Sequence, residues 1–146
     1  MFEEIPKENV IQHLKNGNFQ QLLNYFCKVK ENNLIINYYY FKYLGNAQTY
    51  EIFTNLVVGY IDNILQLFDN FDVHVSISKL SVMEIHKHVG YIRITSELLK
   101  NRYHNKMGKC LIYNYSHIFS QIYDVIVPFI DPDTQEKIKL VPKEKI

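Results

Sequence analysis

A short segment near the C-terminal end carries residue types that suit a charged ligand. Asp131 and Pro132 predict the start of a helix, because aspartate caps helices well and proline fits the first helical position. Thr134 and Lys137 follow one helical turn apart and face the same way on that helix. A hydroxyl and an ammonium beside a free helix N-terminus favour a phosphate group. The segment therefore predicts a phosphate-binding site.

The residues directly before this segment are apolar on nearly every side of a predicted helix from Phe119 to Ile130. Only Ser120, Gln121 and Asp124 interrupt the run, and they lie in its first turns. Such a helix requires cover on two faces. We expect it to form a wall of a cavity that can hold acyl chains.

Further motifs surround these two segments in a fixed order. A basic residue followed by Met-Gly-Lys, from Lys106 to Lys109, precedes an apolar strand that ends at Tyr113. Asn-x-x-x-x-Phe-Ser begins at Asn114, the apolar helix contains Pro-Phe, and Asp-Pro-x-Thr-x-x-Lys-Ile ends at Ile138. This order resembles the CRAL-TRIO family, whose best-known members are the Sec-fourteen-like phosphatidylinositol and phosphatidylcholine transfer proteins. The specific resemblance covers residues 71–141.

The resemblance implies an α/β fold in which a largely parallel or mixed β-sheet is flanked by helices. It also implies a hydrophobic lipid pocket that a gate helix closes. The helical lobe that usually precedes the lipid domain in this family is not recognisable in the N-terminal part of the sequence. We therefore expect a truncated, single-domain member over residues 1–146.

Four residues are the head-group site that the resemblance implies. In the phosphatidylinositol-binding members, the threonine and lysine of the last motif contact the inositol phosphate, and here these are Thr134 and Lys137. The acidic and basic pair before Met-Gly-Lys corresponds to Asn105 and Lys106. Lysine keeps the charge of an arginine but loses its planar fork. Asn105 stands where the family has an acidic residue, so this site lacks a carboxylate and is more positive. A more positive site suits a head group that carries extra phosphates. Read without the resemblance, both lysines are solvated residues at helix ends.

The apolar helix matches the mobile gate of the family. Pro128 removes a backbone donor and can act as its hinge. We expect outward residues such as Ile126 and Phe129 to be covered by a second copy of the chain or by a bilayer surface. The residues assigned to the gate or pocket are Phe119, Ile122, Tyr123, Ile126, Phe129 and Ile130.

The periodicity of apolar residues predicts alternating helices and strands. Helices are expected over 6–15, 19–30, 50–68, 81–108 and 119–130, and strands over 34–43, 71–80 and 109–113. In the strand 71–80, Val73 and Val75 share an apolar face, while His74 and Ser76 share a face that is polar or lines a cavity. The hydroxyl residues that the family uses for choline lipid correspond here to the two valines, or to a position near Ser76 if a gap is allowed. This departure counts against phosphatidylcholine exchange.

Composition excludes several function classes. The 146 residues are 47% hydrophobic with a net charge of +1, which favours one folded domain and argues against a nucleic acid partner. Cys27 and Cys110 lie in apolar surroundings and predict reduced thiols. The sequence has neither a membrane-spanning run nor a signal peptide, so we expect a cytoplasmic protein with peripheral membrane contact.

No residue pattern predicts catalysis or a metal. His86, His88 and His104 lack the spacing of a zinc site, and no nucleophile motif is present. The first hypothesis is therefore a non-enzymatic carrier of phosphatidylinositol or a phosphoinositide, with no cofactor and with a possible homodimer. The alternatives are a protein-interaction module on the same fold and a carrier of a neutral hydrophobic ligand.

Overall fold

The computed structural model describes residues 1–143, so residues 144–146 of the predicted domain lie outside the described residues. The strands are β1 (Cys27–Lys30), β2 (Asn33–Asn37), β3 (Phe71–Ser76), β4 (Met107–Tyr113) and β5 (Ile138–Leu140). The helices are α1 (Lys7–Lys15), α2 (Phe19–Phe26), α3 (Tyr38–Leu44), α4 (Tyr50–Leu67), α5 (Val82–Lys87), α6 (Val89–Arg102), α7 (Phe119–Ile126) and α8 (Pro132–Lys137). A short 3₁₀ helix, Val127–Phe129, follows α7.

The five strands pair in their order along the chain. β1 runs antiparallel to β2, and each later neighbour is parallel to the strand before it. Parallel neighbours need a crossover, and each of these crossovers contains helices. Right-handed crossovers that advance in one direction place their helices on one face of the sheet. The predicted α/β fold with a largely parallel sheet is confirmed.

The strand register separates an apolar face from a polar face. The apolar face is formed by Leu34, Ile36, Val73, Val75, Cys110, Ile112, Ile138 and Leu140. On the opposite face, the His74 ring lies 2.8 Å from both the Tyr113 hydroxyl and Asn33 Oδ1. Ser76 is fully buried there and accepts a hydrogen bond from Asn114. The apolar face therefore meets the helices, and the polar side chains pair with one another.

The densest packing lies in the N-terminal half of the chain. Leu22 of α2 and Tyr40 of α3 are both fully buried. Phe53 of α4 packs its ring 4.8 Å from that of Phe26 and 5.0 Å from that of Phe41, measured between centroids. By contrast, α6 contains no fully buried residue although it covers the sheet. Space is therefore left beneath α6.

The tyrosine run is helical, so the predicted strand 34–43 is wrong beyond Asn37. The Asn37 side chain caps α3 by accepting from the backbone N–H of Tyr39 at 3.2 Å. The Tyr39 and Tyr40 hydroxyls then donate to the carbonyls of Ile5 and Glu3, at 2.5 and 2.6 Å. A local cap and distant hydrogen bonds thus override the β propensity of the tyrosines.

Two predicted helices end earlier than expected. The helix over 19–30 stops at Phe26, because the next residues form β1 and turn at Glu31, which has φ of 56°. The helix over 81–108 begins where predicted, with the Ser81 side chain accepting from Glu84 N–H at 3.2 Å, but it breaks at His88 and ends at Arg102. Asn105, with φ of 62°, takes the left-handed position after this helix, a position that glycine often takes.

Gly108 lies within β4, not at the end of a helix as the predicted range 81–108 implied. A side chain at this position would collide with the Asp72 carboxylate, which accepts a hydrogen bond from Lys109 N–H at 3.1 Å. The β3–β4 register shifts at this point, between Phe71 and Val73. Glycine therefore permits a close approach in the irregular start of the strand. The strand predicted over 71–80 is also shorter than expected, because β3 ends at Ser76.

Candidate functional site

Two adjoining cavities separate the apolar face of the sheet from its covering helices. The first chamber, of about 290 Å³, lies between β2–β5, α4, α6 and α8. The second chamber, of about 420 Å³, lies between α3, α4, α5 and α6. Four residues line both chambers: Ile36, Val57, Ser96 and Leu99. Cavities of this size with apolar walls suit small hydrophobic ligands.

The first chamber is apolar along the sheet and polar at one end. Its apolar wall includes Leu34, Val73, Met107 and Ile138. Three of the predicted head-group residues, Asn105, Thr134 and Lys137, line its polar end. Sequence reasoning did not assign Lys100, His104 or Asp133 to this site, and it named Asp131 only as a helix cap; all four line the polar end. The chamber can therefore hold a molecule with one apolar and one charged part.

The N-terminus of α8 is not free for a phosphate. Asp131 caps the helix as predicted, since its carboxylate accepts from Thr134 N–H at 3.2 Å. The Thr134 hydroxyl donates to the same carboxylate at 2.7 Å. The hydrogen bond from that hydroxyl is the main reason why the pKa of Asp131 is lowered, so the carboxylate is charged at neutral pH. Lys100 and Lys137 supply the positive charge of this wall.

Lys106 lies outside the wall of the first chamber. Its side chain is exposed, although its neighbour Asn105 lines the chamber. Its carbonyl accepts from Phe71 N–H at 3.0 Å, which fixes the backbone at the start of β4. The structure thus brings three of the four predicted head-group residues together and leaves the fourth on the adjoining surface.

The predicted gate helix is shorter than expected. α7 ends at Ile126, the 3₁₀ turn contains Pro128, and Ile130 is extended. Phe129 and Ile130 line the first chamber, and Ile126 lines the second. The expectation that Ile126 and Phe129 face outward is therefore wrong. Proline favours this change because it cannot supply the backbone donor that an α-helix needs.

The remaining gate residues pack on the inner side of α7. Ile122 is buried, and the Phe119 and Tyr123 rings lie 5.8 Å apart between centroids. The exposed side of α7 consists of polar residues, among them Ser120 and Asp124. One chain therefore covers most of the apolar surface of this helix. Its movement as a gate remains a prediction.

Aromatic rings and several polar side chains line the second chamber. The Tyr91 ring lines the chamber and stacks on the Tyr50 ring behind it, with centroids 4.1 Å apart. The polar side chains include those of Tyr38, Glu84 and His88, together with the hydroxyls of Thr54, Thr95 and Ser96. Sequence analysis considered His88 only as a metal ligand. The i, i+4 spacing of Glu84 and His88 on one helix was the signal that could have paired them.

An ion pair holds the two helices that cover the first chamber. The Asp62 carboxylate of α4 accepts from the Arg102 guanidinium and from the Tyr103 hydroxyl of the α6 end, each at 2.7 Å. These hydrogen bonds, with that of Arg102 the larger, lower the pKa of Asp62. The Tyr103 ring lines the chamber. The pair therefore positions one wall of the cavity.

Stability should depend on pH through this carboxylate. Because the pKa of Asp62 is lowered in the folded state, its contribution is complete at neutral pH and is lost as pH falls through that lowered pKa. We expect Asp62→Asn to be less stable than the wild type at neutral pH, by a difference that shrinks in acid. Urea denaturation at pH 7 and at about pH 3 measures this difference. Asp124→Asn is the exposed control, and a constant difference for Asp62→Asn across pH would contradict the account.

The sequence matches the family described as CRAL/TRIO domain over residues 47–146. The chain belongs to this family. The resemblance seen in the sequence begins at residue 71. The family match begins earlier, at residue 47, and so also includes all of α4. A comparison with curated protein sequences finds no match.

A solved structure shares the fold of this CRAL/TRIO chain. The structure titled "Crystal structure of Sfh5" superposes with a TM-score of 0.68 at 16% sequence identity. The alignment covers 82% of this chain and 48% of that one, so this chain spans about half the length of the solved protein. At this identity the likeness shows the fold alone.

Family membership supports binding of a lipid or another small hydrophobic ligand. CRAL/TRIO domains are lipid-binding and lipid-transfer modules and are not generally enzymes. The two apolar chambers give such a ligand a place to bind. Within residues 1–143, none of the helices has the length and apolar character needed to cross a bilayer.

Proposed function

We propose that this CRAL/TRIO domain binds phosphatidylinositol or a phosphoinositide and moves it between membranes or presents it at their surface. The observation that carries the proposal is the first chamber, which joins a lysine-bearing polar end to an apolar interior. The apolar interior continues along shared walls into the second chamber. A head group and acyl chains need this arrangement of polar and apolar surface.

The apolar walls supply most of the binding free energy. Each methylene that leaves water on entering an apolar cavity stabilises the complex by about 0.8 kcal/mol. Acyl chains therefore bind strongly even where their fit is loose. The chambers contact the chains through Leu34, Val73, Val75, Ile92, Ile126 and Phe129.

The head group lies at the polar end in this proposal. Lys137 and Asn105 hold the inositol phosphate beside Thr134, whose hydroxyl donates to Asp131, and Lys106 on the adjoining surface holds a further phosphate. A phosphate has only acceptor oxygens near neutral pH, so lysine ammonium groups suit it. The Asp131 carboxylate adds negative charge to the same wall, which makes the lysines necessary.

Removal of Lys137 tests this site. We expect Lys137→Ala to weaken binding to phosphoinositide liposomes by about 10- to 150-fold, because a charge-assisted hydrogen bond contributes about 1.5–3 kcal/mol. Lys106→Ala should have a smaller effect, since its side chain is outside the chamber wall. Liposome sedimentation at fixed ionic strength measures both changes.

Lys139 provides a matched control. It lies two residues after Lys137, is exposed, and alternates with Ile138, which lines the first chamber. Lys139→Ala makes the same change in net charge and should leave binding unchanged. Equal losses for Lys137→Ala and Lys139→Ala would indicate non-specific attraction to an anionic surface. Unchanged binding of the Lys106→Ala, Lys137→Ala double variant would exclude the head-group site.

A further inference from the structure

The two chambers and the helices that line them lie on the apolar face of the sheet. The strand residues that line the chambers, such as Leu34, Val73 and Cys110, all belong to that face. Parallel sheets in folded proteins usually have both faces covered. Within residues 1–143, the crossovers place their helices on the apolar face. The opposite face therefore has room for a further layer.

The alternate strand residues form this opposite face, which we call the open face. Among them are Lys28, Ile35, Asp72, His74, Leu111 and Lys139. Ile35 and Leu111 are half-buried, whereas the two lysines are exposed. The open face is thus accessible to a partner along most of its width.

The open face carries an excess of positive charge. Its exposed ammonium groups are those of Lys28, Lys30, Lys109 and Lys139. Within residues 1–143, none of these lysines forms an ion pair. Asp72 is the one carboxylate that the five strands place there, and it accepts from a backbone N–H at 3.1 Å. Burial is the main reason why the pKa of His74 is lowered, so its ring adds no charge at neutral pH.

The middle of the open face is apolar and lies between two lysines. Five residues stand in register across the five strands: Lys28, Ile35, His74, Leu111 and Lys139. The two apolar residues are two strands apart, which is about 10 Å at the usual strand spacing. Each lysine lies one strand farther out. The row is therefore an apolar strip with a positive border on both sides.

The chain itself places an apolar and acidic segment at one end of the open face. The Phe2 ring packs against the Tyr113 ring with centroids 5.0 Å apart. The Glu3 carbonyl accepts from the Asn37 side chain at 3.2 Å, which holds the segment in place. The side chains of Glu3 and Glu4 are exposed beside this contact. The face thus already binds an apolar residue that carboxylates follow.

A packed helix fits the open face better than a bilayer does. Ile35 and Leu111 are half-buried between longer lysine side chains, so they cannot reach into a bilayer. The most exposed large apolar side chains, such as those of Leu67 and Met83, lie on α4 and α5 instead. A helix with its side chains is about 10–12 Å across, which matches the apolar strip.

We propose that the open face docks an amphipathic helix of a partner protein. The apolar stripe of that helix lies on Ile35 and Leu111, and its glutamate or aspartate residues face Lys28 and Lys139. Such a helix supplies the second layer that a largely parallel sheet normally has. The open face and the chambers lie on opposite sides of the sheet, so the proposal stands whether or not a lipid binds.

Fluorescence anisotropy with two labelled peptides tests the proposal. Both are helical peptides of about 18 residues, or five turns, with a leucine stripe. One carries glutamate on both flanks of the stripe, and the other carries lysine there. We expect the wild type to bind the glutamate peptide at least about tenfold more tightly, because attraction at two surface ion pairs becomes repulsion. Added salt should reduce this preference.

Charge reversal on the open face locates the binding site. The Lys28→Glu, Lys139→Glu double variant should bind the lysine peptide more tightly than the glutamate peptide. Both side chains are exposed, so the variant should fold, and circular dichroism checks this. The matched control is the Lys15→Glu, Lys87→Glu variant, which makes the same change in net charge at exposed positions of α1 and α5. It should keep the wild-type preference.

Several results would overturn the proposal. Equal or undetectable binding of the two peptides to the wild type would exclude an acidic helix. An unchanged preference in the Lys28→Glu, Lys139→Glu variant would exclude the open face. If the wild type binds phosphatidylserine vesicles but neither peptide, and this variant loses the vesicles, a bilayer covers the face. If the wild type sediments as a dimer that this variant abolishes, a second copy covers it.

Discussion

Ser96→Phe is expected to block lipid uptake by at least a hundredfold while the domain remains folded. Ser96 lies on α6 and lines both chambers, so a phenyl ring at this position occupies their junction. Exclusion of about four methylenes from the cavity removes roughly 3 kcal/mol of binding free energy. The added ring enters space that is already open, so overpacking is small. Lipid extraction after incubation with liposomes measures the change.

Two controls belong with this variant. Ser96→Ala removes the hydroxyl without filling space and should bind lipid like the wild type. Ile94→Phe adds a ring to the same helix at a side chain that is 68% exposed and should also bind normally. If Ser96→Phe takes up lipid as well as Ile94→Phe, the two chambers do not hold the acyl chains.

Leu22→Ala is expected to lower the free energy of unfolding by about 2–5 kcal/mol. Leu22 is fully buried in the N-terminal core, where α2 packs against α3. The cost is large because truncation removes apolar contact and leaves a cavity. Both helices precede residue 47, so the variant tests whether they form one domain with the family-matched region. Urea denaturation monitored by circular dichroism gives the change.

Leu14→Ala is the control for this prediction. Leu14 belongs to α1 and is 39% exposed, so its truncation should cost less than about 1 kcal/mol. A single cooperative transition is expected for both variants if residues 1–46 belong to the domain. Two separate transitions, or equal effects of Leu14→Ala and Leu22→Ala, would contradict the single-domain prediction.

The parts of the fold that depend on local signals could be predicted from the sequence. Ser81 and Asp131 both cap helices as their residue types indicate. The regular apolar spacing of 50–68 predicted α4 to within a residue at its end. The tyrosine run could not be assigned correctly, because the hydrogen bonds of Tyr39 and Tyr40 join residues about 35 positions away. Propensity contains no information about such contacts.

The candidate site, like the fold, could be predicted from the sequence only in part. A sequence motif identified Thr134 and Lys137, and the structure places both on one chamber wall. The motif could not show that Asp131 already occupies the end of α8 or that Phe129 faces inward. Tyr38 from α3 and the Glu84 and His88 side chains from α5 and its end line the second chamber together only because the chain folds α3 and α5 over the sheet. No local pattern joins Tyr38 to residues of another helix.

Native mass spectrometry tests the central claim that the chambers hold a lipid. The protein is incubated with liposomes that contain phosphatidylinositol, separated from them, and measured without denaturation. We predict a complex of one chain with one phosphatidylinositol, which is absent in Ser96→Phe and present in Ile94→Phe. A wild-type chain that remains lipid-free under these conditions would contradict the account and favour a protein-interaction module on the same fold.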